Sequence, residues 1–328
     1  MSIYRLVRPA RLVALLWIII TLNFIIPRLM PGDPLIPLLG QDVAALPHEE
    51  LQRLRGELGL DRPLGQQYIA YLGALARGEW GYSFHYRQPV TSLIGKHLGW
   101  TLWMIGPAII LSTLLALTLG CLCGWRKGAA ADIVVTAGFV IQYSMPQFLT
   151  GMLLLIFLGN HLGWFPLGGL RSAGILAGTP AALADTARHL VLPIATLTLA
   201  STPPKFMVMR NSVVAALEDP YVLYARAKGL SDRRVLFVHI LKNASLPLIS
   251  IVALHIGFLV SGALVVEVVF SINGMGSLIY EAALYRDYPL LQACFLILTL
   301  VVVTMNLLAD LASGMLDPRI RRGAQDLL

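Results

Sequence analysis

Charged residues are scarce in this sequence. They make up 13% of its 328 residues, whereas hydrophobic residues make up 57%. A soluble domain of this length needs far more polar surface, so the composition predicts an integral membrane protein. Cysteine is scarce as well. Cys121, Cys123 and Cys294 all lie inside apolar runs, which argues against a disulfide framework and against a metal site built from spaced Cys and His.

The sequence also lacks the phosphate-binding pattern G-x-x-x-x-G-K-S/T, so we expect no nucleotide or other cofactor on this chain. Ionisable residues inside the apolar runs are too few and too dispersed for the clustered acids, bases or ligands of a membrane-embedded enzyme. The net charge of +7 does not by itself indicate a nucleic-acid partner, because basic residues also orient membrane proteins. We therefore expect neither catalysis nor nucleic-acid binding.

Long apolar runs are abundant. A hydrocarbon core about 30 Å thick needs roughly 20 apolar residues in a helix. Two runs are weaker candidates: Leu12–Pro27, which no small-residue cleavage site follows, and Leu190–Pro204, which Pro193 and a Pro-Pro pair interrupt. Four uncharged runs meet the length, namely Leu98–Trp125, Ile133–Asn160, Asn243–Val266 and Tyr288–Ala309. We predict an all-α integral membrane protein with six transmembrane helices.

Basic clusters indicate the orientation of these helices. An even number of spans places both termini on one side, together with the clusters Trp125–Gly128 and Asp317–Arg322. Lys and Arg are enriched on the cytoplasmic side, so we predict that both termini lie inside. The predicted organisation is an inner segment with the first helix (1–30), an outer, periplasmic cap (31–97), and a core with helices 2–6 (98–328). A cytoplasmic loop at about 211–247 joins helices 4 and 5.

The basic loop between the fourth and fifth spans has the signals of two short helices. Asp219 can cap a helix whose first residue is Pro220, and Gly229 is typical of a left-handed helix end. Ser231 can cap a second helix, so that the pair covers 219–243. The first helix has about nine residues and spans only about 13 Å, which is too short to cross the bilayer.

Small side chains on the first of these helices favour docking on a protein. Ala225 and Ala227 leave a shallow surface that suits insertion into a groove on another protein. The alternative is a solvated loop whose Lys and Arg bind the headgroups of membrane lipid. Docking is the favoured hypothesis, because residue type specifies both helix ends.

Polar side chains within the spans are candidates for lining a translocation pathway. Three of them directly precede Pro146, where we expect a kink. The alternatives are neutral packing at the kink, an interhelical hydrogen bond for His255, and contact with water or an outer-loop hydrogen bond for Glu267. We predict no resident metal site, with His255 as the candidate for a transient metal contact. The candidates are Gln142, Tyr143, Met145, His255 and Glu267.

The stretch "ARAKGLSDRRVLFVHILKNASLP", residues 225–247, closely resembles the cytoplasmic EAA loop of ABC-importer permeases of the peptide/nickel branch. The resemblance covers essentially the whole chain. Only Ala225 and Gly229 match the third residue and the glycine of the general motif, which begins Glu-Ala-Ala. Further segments resemble the same branch in order, namely "RLMPGDP", "GLDRPLGQQY", "RGEWGYS", "SMPQF", "NGMGSL", "RDYPLLQ" and "LDPRIRR".

The resemblance implies a permease in the bacterial inner membrane that pairs with a second homologous permease subunit. Two cytosolic ABC ATPase subunits are implied below it, carrying ATP and Mg, and a periplasmic or lipid-anchored substrate-binding protein above it. The chain itself is then not an enzyme, and its 219–243 helix pair couples the spans to the ATPases. The coupling residues implied are Tyr221, Tyr224, Ala225, Arg226, Ala227, Lys228, Gly229, Leu230 and Ser231.

The cargo stays open between short peptides and nickel or a metal chelate. Peptides are the broad expectation for this branch, whereas the stretch around His255 resembles nickel-importing permeases. A stand-alone secondary transporter is the alternative function. It requires paired ionisable residues at mid-membrane and repeated broken helices, and the sequence has neither pattern.

Overall fold

The computed structural model describes residues 2–29, 47–57, 61–176 and 178–316. The side chains of 2–13, 27, 48, 51, 54, 57, 253–262, 306 and 308–316 lie outside the described part. Helices account for most of these residues, which confirms the predicted helical class. The helices are α1 (Ser2–Leu29), α2 (His48–Glu57), α3 (Leu64–Ala76), α4 (Val90–Trp125), α5 (Ala130–Ser144), α6 (Gln147–Leu154), α7 (Pro180–Leu217), α8 (Pro220–Ala227), α9 (Asp232–Arg234), α10 (Leu241–Val269), α11 (Met275–Leu284) and α12 (Tyr288–Leu316).

Three features depart from the sequence expectation. A short antiparallel hairpin, with β1 at Tyr82–Ser83 and β2 at Gln88–Pro89, adds strands to a fold predicted as all-α. α7 runs as one helix through Pro193, Pro203 and Pro204, which were expected to interrupt it. π-helical turns extend α6 over Leu155–His161 and join α9 to α10 over Val235–Ile240.

The predicted second helix of the cytoplasmic pair does not end near residue 243. It begins at Asp232 and continues without a break through α10 to Val269, with Pro247 inside the helix. A proline is tolerated at such a position in a membrane helix because neighbouring groups satisfy the freed carbonyl. The pair is therefore one short helix followed directly by a long one.

Several of these helices are long and apolar enough to cross a membrane. Within the described residues there are three such helices, or four if the bent pair Ala130–Ser144 and Gln147–His161 forms one span. The six-span count and the inside location of both termini stay predictions. The three unbent helices are Val90–Trp125, Asp232–Val252 and Tyr288–Met305.

The chain divides into two compact units, one formed by Met1–Leu98 with Ser277–Leu300 and the other by Gly99–Gly276 with Val301–Leu328. The predicted limits of the outer cap, 31–97, stay a prediction, and residues 30–46 and 58–60 lie outside the described residues. So does the C-terminal basic cluster at 317–322.

In the first unit, Asp287 anchors the hairpin. This carboxylate is fully buried, and it accepts hydrogen bonds from the Ser83 hydroxyl at 2.5 Å and from the His85 N–H at 3.1 Å. The His85 ring stacks on Tyr285 with 3.6 Å between ring centroids. Burying a carboxylate is costly unless it is hydrogen-bonded, so these bonds hold the hairpin and the residues around 287 together.

In the second unit, a buried hydrophobic cluster lies against one face of α8, and we call it the α8 cluster. It takes side chains from four helices and from the π-helical turns before α10. Because α8 contributes to the same core as the long helices, it is packed onto them and does not hang from a loop. The cluster consists of Ala116, Cys121, Cys123, Phe206, Met209, Val213, Ala216, Val222, Ala225, Val235, Leu236, Ile240, Ala244 and Leu248.

Two glycines let α4 approach α7 closely beside this cluster. A Cβ on Gly124 would lie 2.7 Å from the backbone oxygen of Arg210, and a Cβ on Gly120 would lie 2.8 Å from Cβ of Met209. Small residues at this spacing allow membrane helices to pack backbone against backbone. The contact fixes the position of α7 just before it leads into α8.

We expect Asp287→Ala to lower the melting temperature of the purified protein by several degrees. The substitution removes the acceptor of hydrogen bonds from the Ser83 hydroxyl, the His85 N–H and the Leu290 N–H, and each buried group left unsatisfied costs about 1–3 kcal/mol. Thermal unfolding in detergent measures the effect. Glu79→Ala is the matched control, because its ion pair with Arg77 is mostly exposed and contributes little. Equal melting temperatures for the two variants would contradict the anchoring role.

We expect Gly124→Ala to destabilise the protein by about 1–3 kcal/mol, the usual range for overpacking. The added methyl group would meet the Arg210 backbone, which cannot move aside as a flexible side chain does. Gly106→Ala is the control on the same helix, because a Cβ there has nothing within 4 Å and Ala favours helix by about 1 kcal/mol. If the two alanines have the same effect on chemical denaturation, the close packing of α4 on α7 is wrong.

Candidate functional site

The helix α8 has the bounds that the sequence predicts. It begins after Asp219, whose backbone is extended, and its last residue is Ala227, two residues before Gly229, which has a φ of +75°. The Gly229 N–H donates to the Arg226 oxygen at 2.9 Å and the Leu230 N–H donates to the Ala225 oxygen at 3.3 Å, as in a left-handed helix end. The predicted side-chain caps are not formed, since neither Asp219 nor Ser231 makes a capping hydrogen bond. Pro220 and Gly229 therefore define the helix.

The two faces of α8 differ sharply in exposure. Val222 and Ala225 are buried in the α8 cluster, while Leu223 is 60% and Tyr224 71% exposed. We expected Ala225 to contribute to a shallow outward surface that inserts into a groove on another protein. This interpretation is wrong for Ala225, which is buried. Its small side chain serves packing within this chain, because it faces the cluster.

The outward surface of α8 is mixed apolar and basic. Of the implied coupling residues, Tyr224, Arg226, Ala227, Lys228, Gly229 and Ser231 are exposed, and Tyr221 and Leu230 are half-buried. Leu223 belongs to the same surface and was missed, since the sequence gives no indication of which way a short helix faces. The outward surface of α8 therefore carries Leu223 and Tyr224 beside the basic residues Arg226 and Lys228.

Weak electrostatic contacts lie around α8. The Arg226 guanidinium lies over the Trp125 ring at 5.4 Å and 4.0 Å from the Asp232 carboxylate. Lys127 pairs with Glu218 at 3.9 Å. Exposed pairs of this kind contribute at most about 1 kcal/mol each. The position of α8 therefore depends on the cluster beneath it.

The predicted kink at Pro146 is a bend of 107° between α5 and α6. Met145 is extended at the corner, and the Gln142 amide donates to the Thr150 hydroxyl at 2.9 Å across it. Tyr143 points outward and is mostly exposed. A bend this sharp makes the pair a broken span or a re-entrant loop, and the pathway role of its residues stays a prediction.

Glu267 is enclosed by its own chain. Its side chain is fully buried, and its carboxylate accepts a hydrogen bond from the Thr101 hydroxyl at 2.6 Å. The Thr101 oxygen in turn accepts from the Met275 N–H at 2.8 Å. A Cβ at Gly274 would overlap the Glu267 carboxylate, so the segment "NGMG" wraps around it. The role of Glu267 in the pathway and the alternatives to it stay predictions.

His255 lies within α10, and its side chain is outside the described residues. Its expected contact with cargo therefore stays a prediction. In the part of the chain that the structure describes, no group of three or more His, Cys, Asp or Glu is placed to hold a metal ion.

Two buried charged groups in the second unit were not predicted. Asp132 is 2% exposed and pairs with Arg210 through both carboxylate oxygens. Lys205 is fully buried, and its ammonium donates to the Ser112 hydroxyl at 2.6 Å. Asp132 directly precedes one apolar run and Lys205 directly follows another, so each was taken as the limit of a span. Their long-range partners give no local signal in the sequence.

Comparison with known proteins places the chain in a family. The model of the family "Binding-protein-dependent transport system inner membrane component" matches residues 116–322. The chain is 34% identical over 301 residues to a putative peptide permease protein of Brucella ovis, covering 92% of this chain and 93% of the relative. It is 33% identical over 321 residues to an oligopeptide transport system permease protein of Bacillus subtilis, covering 98% and 99%. It is 31% identical over 317 residues to the dipeptide transport system permease protein of Escherichia coli, covering 92% and 93%.

The fold has a solved counterpart. A chain of the inward-facing methionine ABC transporter matches with a TM-score of 0.54 and 18% identity, over 69% of this chain and 96% of that one. At this identity the likeness concerns the fold alone. The family match and the relatives confirm the resemblance to ABC-importer permeases and the location in the bacterial inner membrane. The chain therefore belongs to the family of binding-protein-dependent transport system inner membrane components, as a multi-pass permease.

Proposed function

We propose that the chain is one permease subunit of an ATP-driven importer of short peptides. It forms half of the translocation pathway beside a second, homologous permease. Two cytosolic ATPase subunits carry ATP and Mg, and a substrate-binding protein delivers the cargo. The observation that carries this proposal is the outward face of α8, where Leu223 and Tyr224 are exposed on a helix whose other face is packed into the core.

The build of α8 supports a mechanical role. A helix of eight residues is about 12 Å long and offers one compact surface. Since its inward face shares a core with α4, α7 and α10, a force applied to the outward face reaches the long helices directly. Closure of the ATPase subunits upon ATP binding thus moves α8 and changes the access of the pathway from one side to the other.

Peptide cargo is supported by the relatives, which are named as peptide, oligopeptide and dipeptide permeases. Uptake by the reconstituted transporter, with its partner permease, ATPases and binding protein, tests this. We expect ATP-dependent uptake of a radiolabelled dipeptide that excess unlabelled dipeptide abolishes and nickel does not. Uptake of radioactive nickel without competition from peptide would make nickel or a chelate the cargo instead. Uptake that needs no ATPase would favour the secondary transporter.

We expect Leu223→Asp and Tyr224→Asp to weaken the association with the ATPase subunits by roughly 30-fold each. Central apolar and aromatic contacts in an interface typically contribute about 2 kcal/mol or more, and a charge at either position leaves the fold intact because both are exposed. Quantitative co-purification of the ATPases from detergent extract measures this.

Leu176→Asp is the matched control. Leu176 is 78% exposed and lies in the loop before α7, on the side predicted to face outward. Its substitution should leave co-purification unchanged. If all three variants retain the ATPases equally, α8 does not dock on them, and binding of lipid headgroups becomes the better interpretation of the basic loop.

A further inference from the structure

The Asp132 carboxylate accepts four hydrogen bonds. One oxygen accepts from Arg210 Nε at 2.5 Å and from the Thr136 hydroxyl at 3.3 Å. The other accepts from Arg210 Nη2 at 2.6 Å and from the Gly128 N–H at 2.9 Å. Two parallel N–H···O bonds between a guanidinium and a carboxylate fix their mutual orientation as well as their distance.

The pair joins the bent span to the helix that leads into α8. Asp132 lies in the first turn of α5, about 20 Å along the helix from the bend at Met145. Arg210 lies in α7, about 10 Å before its end at Leu217. Only Glu218 and Asp219 separate that end from α8. One helix, α5, therefore leads from the ion pair to the bend, and one helix, α7, leads from the ion pair to α8.

The backbone at Arg210 is held as firmly as its side chain. Its carbonyl oxygen lies against Gly124 of α4, at a distance that leaves no room for a Cβ. The adjacent Met209 belongs to the α8 cluster, as do Val222 and Ala225 of α8 itself. A displacement of α8 therefore carries this part of α7 with it, because packed cores move as bodies and do not deform continuously.

The ion pair between Asp132 and Arg210 differs from the surrounding apolar contacts in its geometry. Contacts between apolar surfaces are non-directional, whereas a bidentate ion pair fixes both the distance and the orientation of its two partners. Such a pair is a poor source of net stability, since the desolvation of the two charges offsets most of their attraction. The pair lies on a partly buried surface between α5 and α7, and we look for its role in position and not in stability.

We propose that Asp132 and Arg210 are a positioning pair that transmits the movement of α8 to the bent span formed by α5 and α6. The inference rests on the proposed function, since it requires that the ATPases act on α8. The pair does not touch cargo or nucleotide. It holds the N-terminal end of α5 against the C-terminal part of α7. The bend at Met145 therefore shifts when α8 shifts.

The test compares breaking the pair with replacing it. Asp132→Asn leaves the guanidinium without its charged partner, and we expect lower thermal stability together with less transport per ATP. The double variant Asp132→Leu/Arg210→Met removes both charges and keeps an apolar contact, so assembly and thermal stability should be regained. We expect transport per ATP hydrolysed to stay lower by roughly 2- to 30-fold, the range found for substitutions in coupling networks.

The control and the readouts separate transmission from folding. Thr136→Val removes the weakest hydrogen bond to Asp132 and leaves the ion pair, so it should transport as the wild type does. Dipeptide uptake and ATP hydrolysis are measured together in proteoliposomes that contain the complete transporter, and assembly is measured by co-purification of the ATPases.

Each result decides between the hypotheses. A double variant that assembles, hydrolyses ATP and transports poorly supports the positioning role. One that transports as much per ATP as the wild type overturns it, and so does one that fails to assemble, because the pair is then a requirement of folding. Failure of the wild-type complex to couple peptide uptake to ATP overturns the proposed function itself, and the inference with it.

Discussion

Lipid offers no hydrogen bonds, and this constraint determines how the second unit is built. Every polar group that the chain places in its apolar interior must find a partner within the protein or remain costly. The side-chain hydrogen bonds are those of Asp132 with Arg210, of Glu267 with Thr101, and of Gln142 with Thr150. Each of these contacts joins two different segments of the chain at a defined position. The polar contacts therefore set the register of the helices that the apolar residues bring together.

Small residues complete the arrangement. Gly120 and Gly124 bring α4 against α7, and Ala225 lets α8 lie flat on the cluster beneath it. The result is a short helix with one buried face and one exposed face. It packs on the long helices through the cluster and follows α7 after only two residues. Such an element can receive force from a partner without unfolding, because its inward packing does not depend on the weak ion pairs around it.

Local signals allowed the sequence to predict the features that depend on nearby residues. Pro220 and Gly229 define α8, and Pro146 marks the bend, because proline and glycine act through the backbone at their own positions. The orientation of α8 could not be obtained in this way. Ala225 faces inward because of a cluster that includes residues from Ala116 to Leu248, and no local pattern reports such distant neighbours.

Charged residues misled the prediction for a related reason. Asp132 and Lys205 stand at the ends of apolar runs, where a charge usually marks the boundary of a span. The structure places both in the interior, because each helix continues past the end of its apolar run and Arg210 and Ser112 supply the partners. The predicted end near residue 243 of the second helix of the pair was also wrong. Pro247, which would stop a helix in water, lies inside α10.

Site-specific photo-cross-linking on α8 tests most directly whether this helix is the point where force enters the permease. A photoreactive amino acid at position 224, whose side chain is 71% exposed, is compared with one at position 222, where the native Val is fully buried. If α8 docks on the ATPases, position 224 forms adducts with an ATPase subunit in native membranes, and their yield changes when ATP is added. Position 222 forms adducts only within the chain. Adducts of position 224 with lipid alone, unchanged by ATP, would contradict the coupling role of α8.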